Sequence, residues 1–110
     1  MNRLERKILQ AEIGDAQPRL TVRSATRVDA GRWWRRTPLW VCVTEKDIIV
    51  FAAARRRYLQ RFPIADCQDS CYCHTTGELV IEAGEDLRFS RLAMSPTEGL
   101  RVLELLNLTS

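Results

Sequence analysis

What this sequence has little of limits it more than what it has in abundance. No long apolar run is present: the longest strongly apolar stretch, Ile48 to Ala54, falls far short of the roughly 20 residues that cross a bilayer. The charged start, Met1-Asn2-Arg3-Leu4-Glu5-Arg6-Lys7, leads into no apolar core of a signal peptide, so none is predicted. Histidine occurs once, at His74, beside Cys73; neighbours on a strand diverge, so the two cannot pair locally as nucleophile and base. The sequence also lacks G-x-S-x-G, a phosphate-cradling loop and the dinucleotide G-x-G-x-x-G. A non-catalytic, cytoplasmic chain is expected, with no cofactor and no small-molecule substrate.

What is present suits a globular protein. Apolar residues make up 45% and charged residues 28% of 110 residues, enough to bury one core without staples. In a reducing compartment the four cysteines, Cys42, Cys67, Cys71 and Cys73, are expected to be free thiols. Charge is unevenly spread. Residues 1–61 hold 14 Lys/Arg against 6 Asp/Glu, and residues 62–110 hold 3 against 8. Such asymmetry suits an anionic partner, or two copies meeting head to tail. Fifteen of the 17 cations are arginine, which base composition explains as readily as phosphate recognition.

Periodicity divides the chain into an N-terminal helix and linker, residues 1–17, and a body, residues 18–110, forming one domain overall. Leu4, Ile8 and Ala11 fall at i, i+4 and i+7, predicting an amphipathic helix over 3–13 that Gly14 caps and Pro18 stops. From Leu20 to Val28 the period becomes two: Val22, Ser24 and Thr26 face one way, Arg23, Ala25 and Arg27 the other. Further strands are predicted at Leu39–Thr44, Asp47–Ala53, Arg57–Phe62, Cys67–His74, Glu78–Ala83 and Leu87–Leu92, with turns at Glu45-Lys46, Thr76-Gly77 and Gly84-Glu85. Ser95-Pro96-Thr97-Glu98 reads as a capping box. The helix it opens is expected to present a broad apolar face, Leu100, Leu103 and Leu106 with Val102, Leu105 and Leu108 beside them, as a stopper for the strands. The fold class is therefore mainly β (α+β): a seven-stranded barrel or roll, a C-terminal capping helix and a short N-terminal helix.

These elements and the residues at their joints resemble the bacterial pleckstrin-homology-like (PH-like, GRAM-like) domain family. The resemblance rests on Trp40-Val41-Cys42-Val43-Thr44-Glu45-Lys46-Asp47-Ile48-Ile49-Val50-Phe51, on Arg61-Phe62-Pro63-Ile64-Ala65-Asp66-Cys67, on Thr76-Gly77-Glu78-Leu79-Val80-Ile81, and on Leu87-Arg88-Phe89 leading to Ser95-Pro96-Thr97-Glu98-Gly99-Leu100. It spans residues 20–108. Cys67 departs from the family's usual Ile or Val, and the N-terminal helix is an addition. The resemblance implies a scaffold that in eukaryotic members often binds phosphoinositides or peptides and in bacterial members frequently self-associates. Fold does not fix function.

Three constellations carry candidate chemistry. Arg32-Trp33-Trp34-Arg35-Arg36 lies between the first two strands; the corresponding loop of phosphoinositide-binding relatives carries their basic residues. Tryptophans among guanidiniums suit an anionic membrane interface, which would place the chain peripherally on the inner face of the membrane. The plain alternative is that they pack on the N-terminal helix or a second subunit. Arg23 and Arg27, about 13 Å apart at roughly 3.3 Å per residue, and the hairpin residues Arg55, Arg56 and Arg57 could extend that basic surface, or simply be solvated. Nucleic acid ranks below lipid, because no nucleic-acid motif accompanies the patch. Third, Cys67, Cys71, Cys73 and His74 invite zinc, but an extended chain spreads the three sulfurs over about 20 Å, so no metal is expected.

One feature bears on assembly. The second and third strands are apolar on both faces: Leu39, Val41 and Val43 oppose Trp40 and Cys42, and Ile48 and Val50 oppose Ile49 and Phe51. A strand lining a core needs only one. The N-terminal helix or a second subunit must cover the other, and a homo-oligomer or a protein partner is expected.

Overall fold

The computed structural model describes residues 3–14, 17–29, 36–53, 58–82 and 90–107. Helix α1 (Arg3–Ile13) precedes four strands, β1 (Leu20–Asp29), β2 (Arg36–Val43), β3 (Asp47–Ala52) and β4 (Tyr58–Pro63). A 3₁₀ turn (Ile64–Cys67) leads to β5 (Cys71–Cys73), β6 (Glu78–Val80) and β7 (Arg91–Ala93), and helix α2 (Pro96–Asn107) follows. The strands form two antiparallel sheets, β1-β2-β3-β4 and β5-β6-β7. The protein is mainly β, as the alternation predicts. Of the sixth and seventh expected strands, residues 83–89 lie outside the described residues, as does the Gly84-Glu85 turn.

The turns follow from their residues. At Glu45-Lys46 the Thr44 amide donates to the Asp47 carbonyl at 2.9 Å, and the Asp47 amide donates to the Thr44 hydroxyl at 3.1 Å. At the β5–β6 turn Gly77 takes a φ of 70°, where a side chain would be strained, and its amide reaches the Cys73 carbonyl at 2.9 Å. Gly14, with φ 61°, closes α1 through a 2.8 Å bond to the Gln10 carbonyl. β1 pairs with β2 in two registers, Arg23 opposite Trp40 and Arg27 opposite Pro38, so three residues face one across a bulge. The Ser24 hydroxyl satisfies the Leu39 carbonyl there at 2.8 Å.

One predicted strand is replaced. The segment expected to run extended from Cys67 to His74 begins instead within the 3₁₀ turn Ile64–Cys67 and becomes a strand only at Cys71. Ile64 and Cys67 are both fully buried. Residues three apart share a side in a 3₁₀ turn and fall on opposite faces of a strand. Burying both therefore selects the turn.

Two apolar clusters result, one on each face of the four-stranded sheet. The larger joins Val22, Leu39, Val41, Val43, Ile48 and Val50 to Leu79 and Leu92 of the second sheet and to Val102 and Leu106 of α2. The smaller joins Cys42, Ile49 and Phe51 to Ile8 and Leu9 of α1. The second apolar face of β2 and β3 is thus covered by the chain's own helix.

Helix α1 docks on a face other than its Leu4–Ile8–Ala11 stripe, whereas α2 docks on its broad apolar face with Leu100 alone of its described leucines turned out. In α1 the inward residues are Glu5, Ile8 and Leu9, while Leu4 is 46% exposed and Ala11 is exposed. This face buries Ile8 and Leu9 and packs Ile13 against them, more apolar area than a Leu–Ile–Ala stripe offers. In α2 Val102 and Leu106 are buried, Leu103 packs beside them, and Leu100 is 50% exposed. Gly99 sets this rotation, because it lies against the Tyr72 ring.

The capping box forms with one change of partner. The Glu98 amide donates to Ser95 Oγ at 3.2 Å, and the Glu98 carboxylate accepts from the Ser95 hydroxyl at 3.1 Å. At the other end the Gln68 side-chain amide donates to the Leu106 carbonyl at 2.8 Å, satisfying one of the carbonyls a helix end leaves open.

Candidate binding surface

The seating of α1 determines what the outer face offers. Trp40 projects from β2 on the face opposite the main core, and its indole N–H donates to Glu5 Oε2 at 2.5 Å. Glu5 is only 3% exposed, so this bond helps offset the cost of withdrawing a carboxylate from water. At the far end of the helix, Arg61 of β4 donates to Asp47 Oδ2 through Nε at 2.9 Å and Nη2 at 2.5 Å. Its Nη1 reaches the Glu12 carbonyl at 3.1 Å and the Glu12 carboxylate at 3.2 Å. The hydrogen bonds that Arg61 donates to Asp47 and then to Glu12 raise its pKa above the ordinary value.

Both carboxylates of α1 are thereby turned toward the sheet. Its cations are not: Arg3, Arg6 and Lys7 are exposed, with Leu4 among them. On β1, Arg19, Arg23 and Arg27 flank or occupy exposed positions. Arg23 pairs in register with Trp40, the residue that holds Glu5, so the first turns of α1 come down beside it. Among the described residues, none of the ion pairs involves Arg3, Arg6, Lys7, Arg23 or Arg27.

Of the residues singled out from the sequence, Arg23 and Arg27 stand on the outward face of β1, separated by the bulge. Arg36 opens β2 opposite Asp29. Arg32, Trp33, Trp34 and Arg35, and the hairpin cations Arg55, Arg56 and Arg57, lie outside the described residues. Arg3, Arg6 and Lys7 are not among the residues that the sequence pattern singles out. The signal available was the alternative stripe Glu5, Ile8, Leu9 and Ile13, whose burial leaves all three cations outward.

The cysteines separate into two kinds. Cys42 and Cys67 are fully buried; burial pushes both thiols up, Cys67 to about 11 with Asp66 adding to the effect. Cys71 is exposed and Cys73 half-buried, on the outward side of β5 while Tyr72 between them points in. Among the described residues no three metal-ligating side chains converge. His74 sets its ring edge-on to Tyr72 with centroids 4.9 Å apart. No helix among the described residues is long and apolar enough to cross a membrane. No family model, no curated protein and no solved structure matches the chain.

Proposed function

We propose that the chain is a non-catalytic PH-like binding module whose working surface is the basic outer face of α1 and β1 and whose ligand is anionic. One observation carries this reading: α1 buries Glu5 against Trp40 and ties Glu12 to Arg61, while Arg3, Arg6 and Lys7 are exposed and Arg23, also exposed, is the cross-strand neighbour of that Trp40. Arg3, Arg6, Lys7, Arg23 and Arg27 are all exposed and enter none of the ion pairs among the described residues, and gathered cations create a positive potential that draws and orients an anionic partner. The PH-like part is supported by the order of a four-stranded sheet, a three-stranded sheet and a C-terminal helix. It is supported too by the Ala93 amide, which donates to Thr26 Oγ1 at 2.8 Å and draws β7 toward β1. A peripheral membrane role fits this face, since each Lys or Arg near an anionic bilayer contributes about 1 kcal/mol.

Sedimentation with phosphatidylcholine vesicles, with and without phosphatidylglycerol, tests the proposal. Capture by the anionic vesicles is expected, falling steeply with salt and lost in an Arg6→Glu/Lys7→Glu/Arg23→Glu variant. Trp34→Ala in parallel reports on the loop. Equal capture of the variant and the parent excludes this face as the contact surface.

A second reading, self-association, is favoured by the opposite half of the chain. Asp66, Asp69 and Glu104 are exposed around the 3₁₀ turn and α2, and α2 belongs to the cluster on the other face of the sheet from α1. Copies could then meet basic face to acidic face. Light scattering at low and high ionic strength separates the readings: a mass that grows at low salt supports this one, and a monomer at both leaves only the anionic ligand.

A further inference from the structure

Among the described residues two large apolar side chains stand exposed, Leu4 on α1 and Leu100 on α2. A single leucine at a surface is ordinary, so the company each keeps decides what it means. Leu100 has Arg101 beside it and Glu104 one turn along, both exposed, a mixed setting that selects neither sign of partner. Leu4 is different. The exposed residues of α1 are Arg3, Leu4, Arg6, Lys7, Gln10 and Ala11, and no carboxylate is among them. Glu5 is turned in to the Trp40 indole and Glu12 to Arg61.

Spacing and register place the leucine. Leu4, Lys7 and Ala11 fall at i, i+3 and i+7, along one line of the helix surface, and all three are exposed. Glu5, the next residue after Leu4, is bonded to Trp40, whose cross-strand neighbour is the exposed Arg23. Cross-strand neighbours share a face of the sheet, so the turn of α1 that carries Leu4 is fastened on the same face as Arg23. A soluble polyanion gains from these cations and nothing from the leucine. A bilayer gains from both, since Lys and Arg heads meet lipid phosphates while an apolar side chain enters the acyl boundary.

Resting on the anionic-ligand reading above, we propose that this ligand is the surface of an anionic bilayer and that Leu4 is the residue that enters it, with Arg3, Lys7 and Arg23 at the lipid phosphates. Association then has two parts. The cationic part weakens as salt screens it, and the apolar part, the Leu4 area withdrawn from water, does not. The rest of the helix's apolar surface is already taken, because Ile8 and Leu9 are buried against Cys42, Ile49 and Phe51 of the sheet. Leu4 is the one large side chain of α1 left exposed for insertion, so the contact is shallow and reversible and leaves α1 seated.

The experiment offers the full chain phosphatidylcholine vesicles with and without phosphatidylglycerol, and heparin as a soluble polyanion. It compares the parent with Leu4→Ala, Leu4→Trp and the Arg6→Glu/Lys7→Glu/Arg23→Glu variant. Anionic vesicles should capture Leu4→Ala several-fold more weakly than the parent and Leu4→Trp more tightly, with the same ratios at low and high salt. Heparin, held by charge alone, should bind the parent and both Leu4 variants alike, and the triple variant should lose heparin and vesicles together. Equal vesicle capture of Leu4→Ala and the parent, or heparin binding without vesicle capture, overturns the bilayer inference and leaves the anionic-ligand reading standing. Capture of the triple variant at the parent's level, or a parent retained by neither vesicles nor heparin, overturns that reading and the inference with it.

Discussion

α1 and α2 are nearly equal in length, 11 and 12 residues, and each contributes to one of the two clusters that the four-stranded sheet separates, yet they are held by different means. α2 is tied at both ends, by Ser95 at its start and Gln68 at its last carbonyls. It contributes Val102 and Leu106 to the cluster that joins both sheets. α1 covers a smaller cluster with Ile8 and Leu9 and is held by polar groups at its two ends, Glu5 on Trp40 and Glu12 on Arg61. Helices this short are marginal alone, so each exists because of its seat. The difference teaches that α2 is part of the core, whereas α1 is a cover laid over it, cationic on the side that faces outward.

The largest effect should come from Leu106. Leu106→Ala removes a fully buried side chain from the main cluster and is expected to cost about 2–5 kcal/mol of global stability in chemical denaturation. Leu9→Ala on α1 should cost less, because the loss is bounded by the free energy of seating that one helix. Equal losses would break the distinction and make α1 as integral as α2.

Gly99→Ala comes next, and its sign is the informative part. Alanine is favoured over glycine inside a helix by about 1 kcal/mol, so an exposed site would be stabilised. Here an added Cβ falls on the Tyr72 ring, within 2.7 Å of Cε2 and closer still to Cδ2, and the Tyr72 hydroxyl is fixed on Met94. Overpacking of this kind costs about 1–3 kcal/mol, and a lower midpoint is expected. Truncating the ring with Tyr72→Leu should remove the added penalty in a double-mutant cycle. A midpoint raised by Gly99→Ala alone would mean that α2 is free to shift.

What could be read from the sequence was local. The period of two in β1, the Thr44–Asp47 and Thr76-Gly77 turns, the Gly14 stop and the Ser95 cap each depend on a few adjacent residues, and each forms. What could not be read was the choice among faces. The α1 pattern permits both a Leu4–Ile8–Ala11 stripe and a Glu5–Ile8–Leu9 one, and the decision rests with Trp40 and Arg61, distant in sequence. In α2 the decision rests with Tyr72, which admits the helix where it carries glycine. The 3₁₀ turn at Ile64–Cys67 likewise answers to burial of two residues in a core that no local rule describes. The candidate surface divides the same way. Arg23 and Arg27 were visible from strand alternation, but Arg3, Arg6 and Lys7 became candidates only once the roll of α1 was known.

The smallest expected effect is the one that best separates the two helices. Glu5→Ala takes from the Trp40 indole its acceptor under α1, and an unsatisfied buried donor costs about 1–3 kcal/mol. Because α1 can lift and let water reach Trp40, that cost should appear as local opening and leave the global midpoint almost unmoved. Cys42 lies beneath α1 and Cys67 within the cluster that α2 helps close, and both are fully buried thiols. Alkylation under native conditions should therefore reach Cys42 before Cys67, after Cys71 and Cys73 have reacted. Glu5→Ala should speed Cys42 several-fold and leave Cys67 unchanged. Cys67 has a second distinguishing mark: with its pKa raised from 9.0 to about 11 in the folded chain, it adds stability at neutral pH that is lost as pH rises from about 9 through about 11. Cys67→Ala should flatten that alkaline decline. If instead Glu5→Ala exposes both thiols together, α1 and α2 open as one unit, and the cover is no less a part of the core than the helix across the sheet from it.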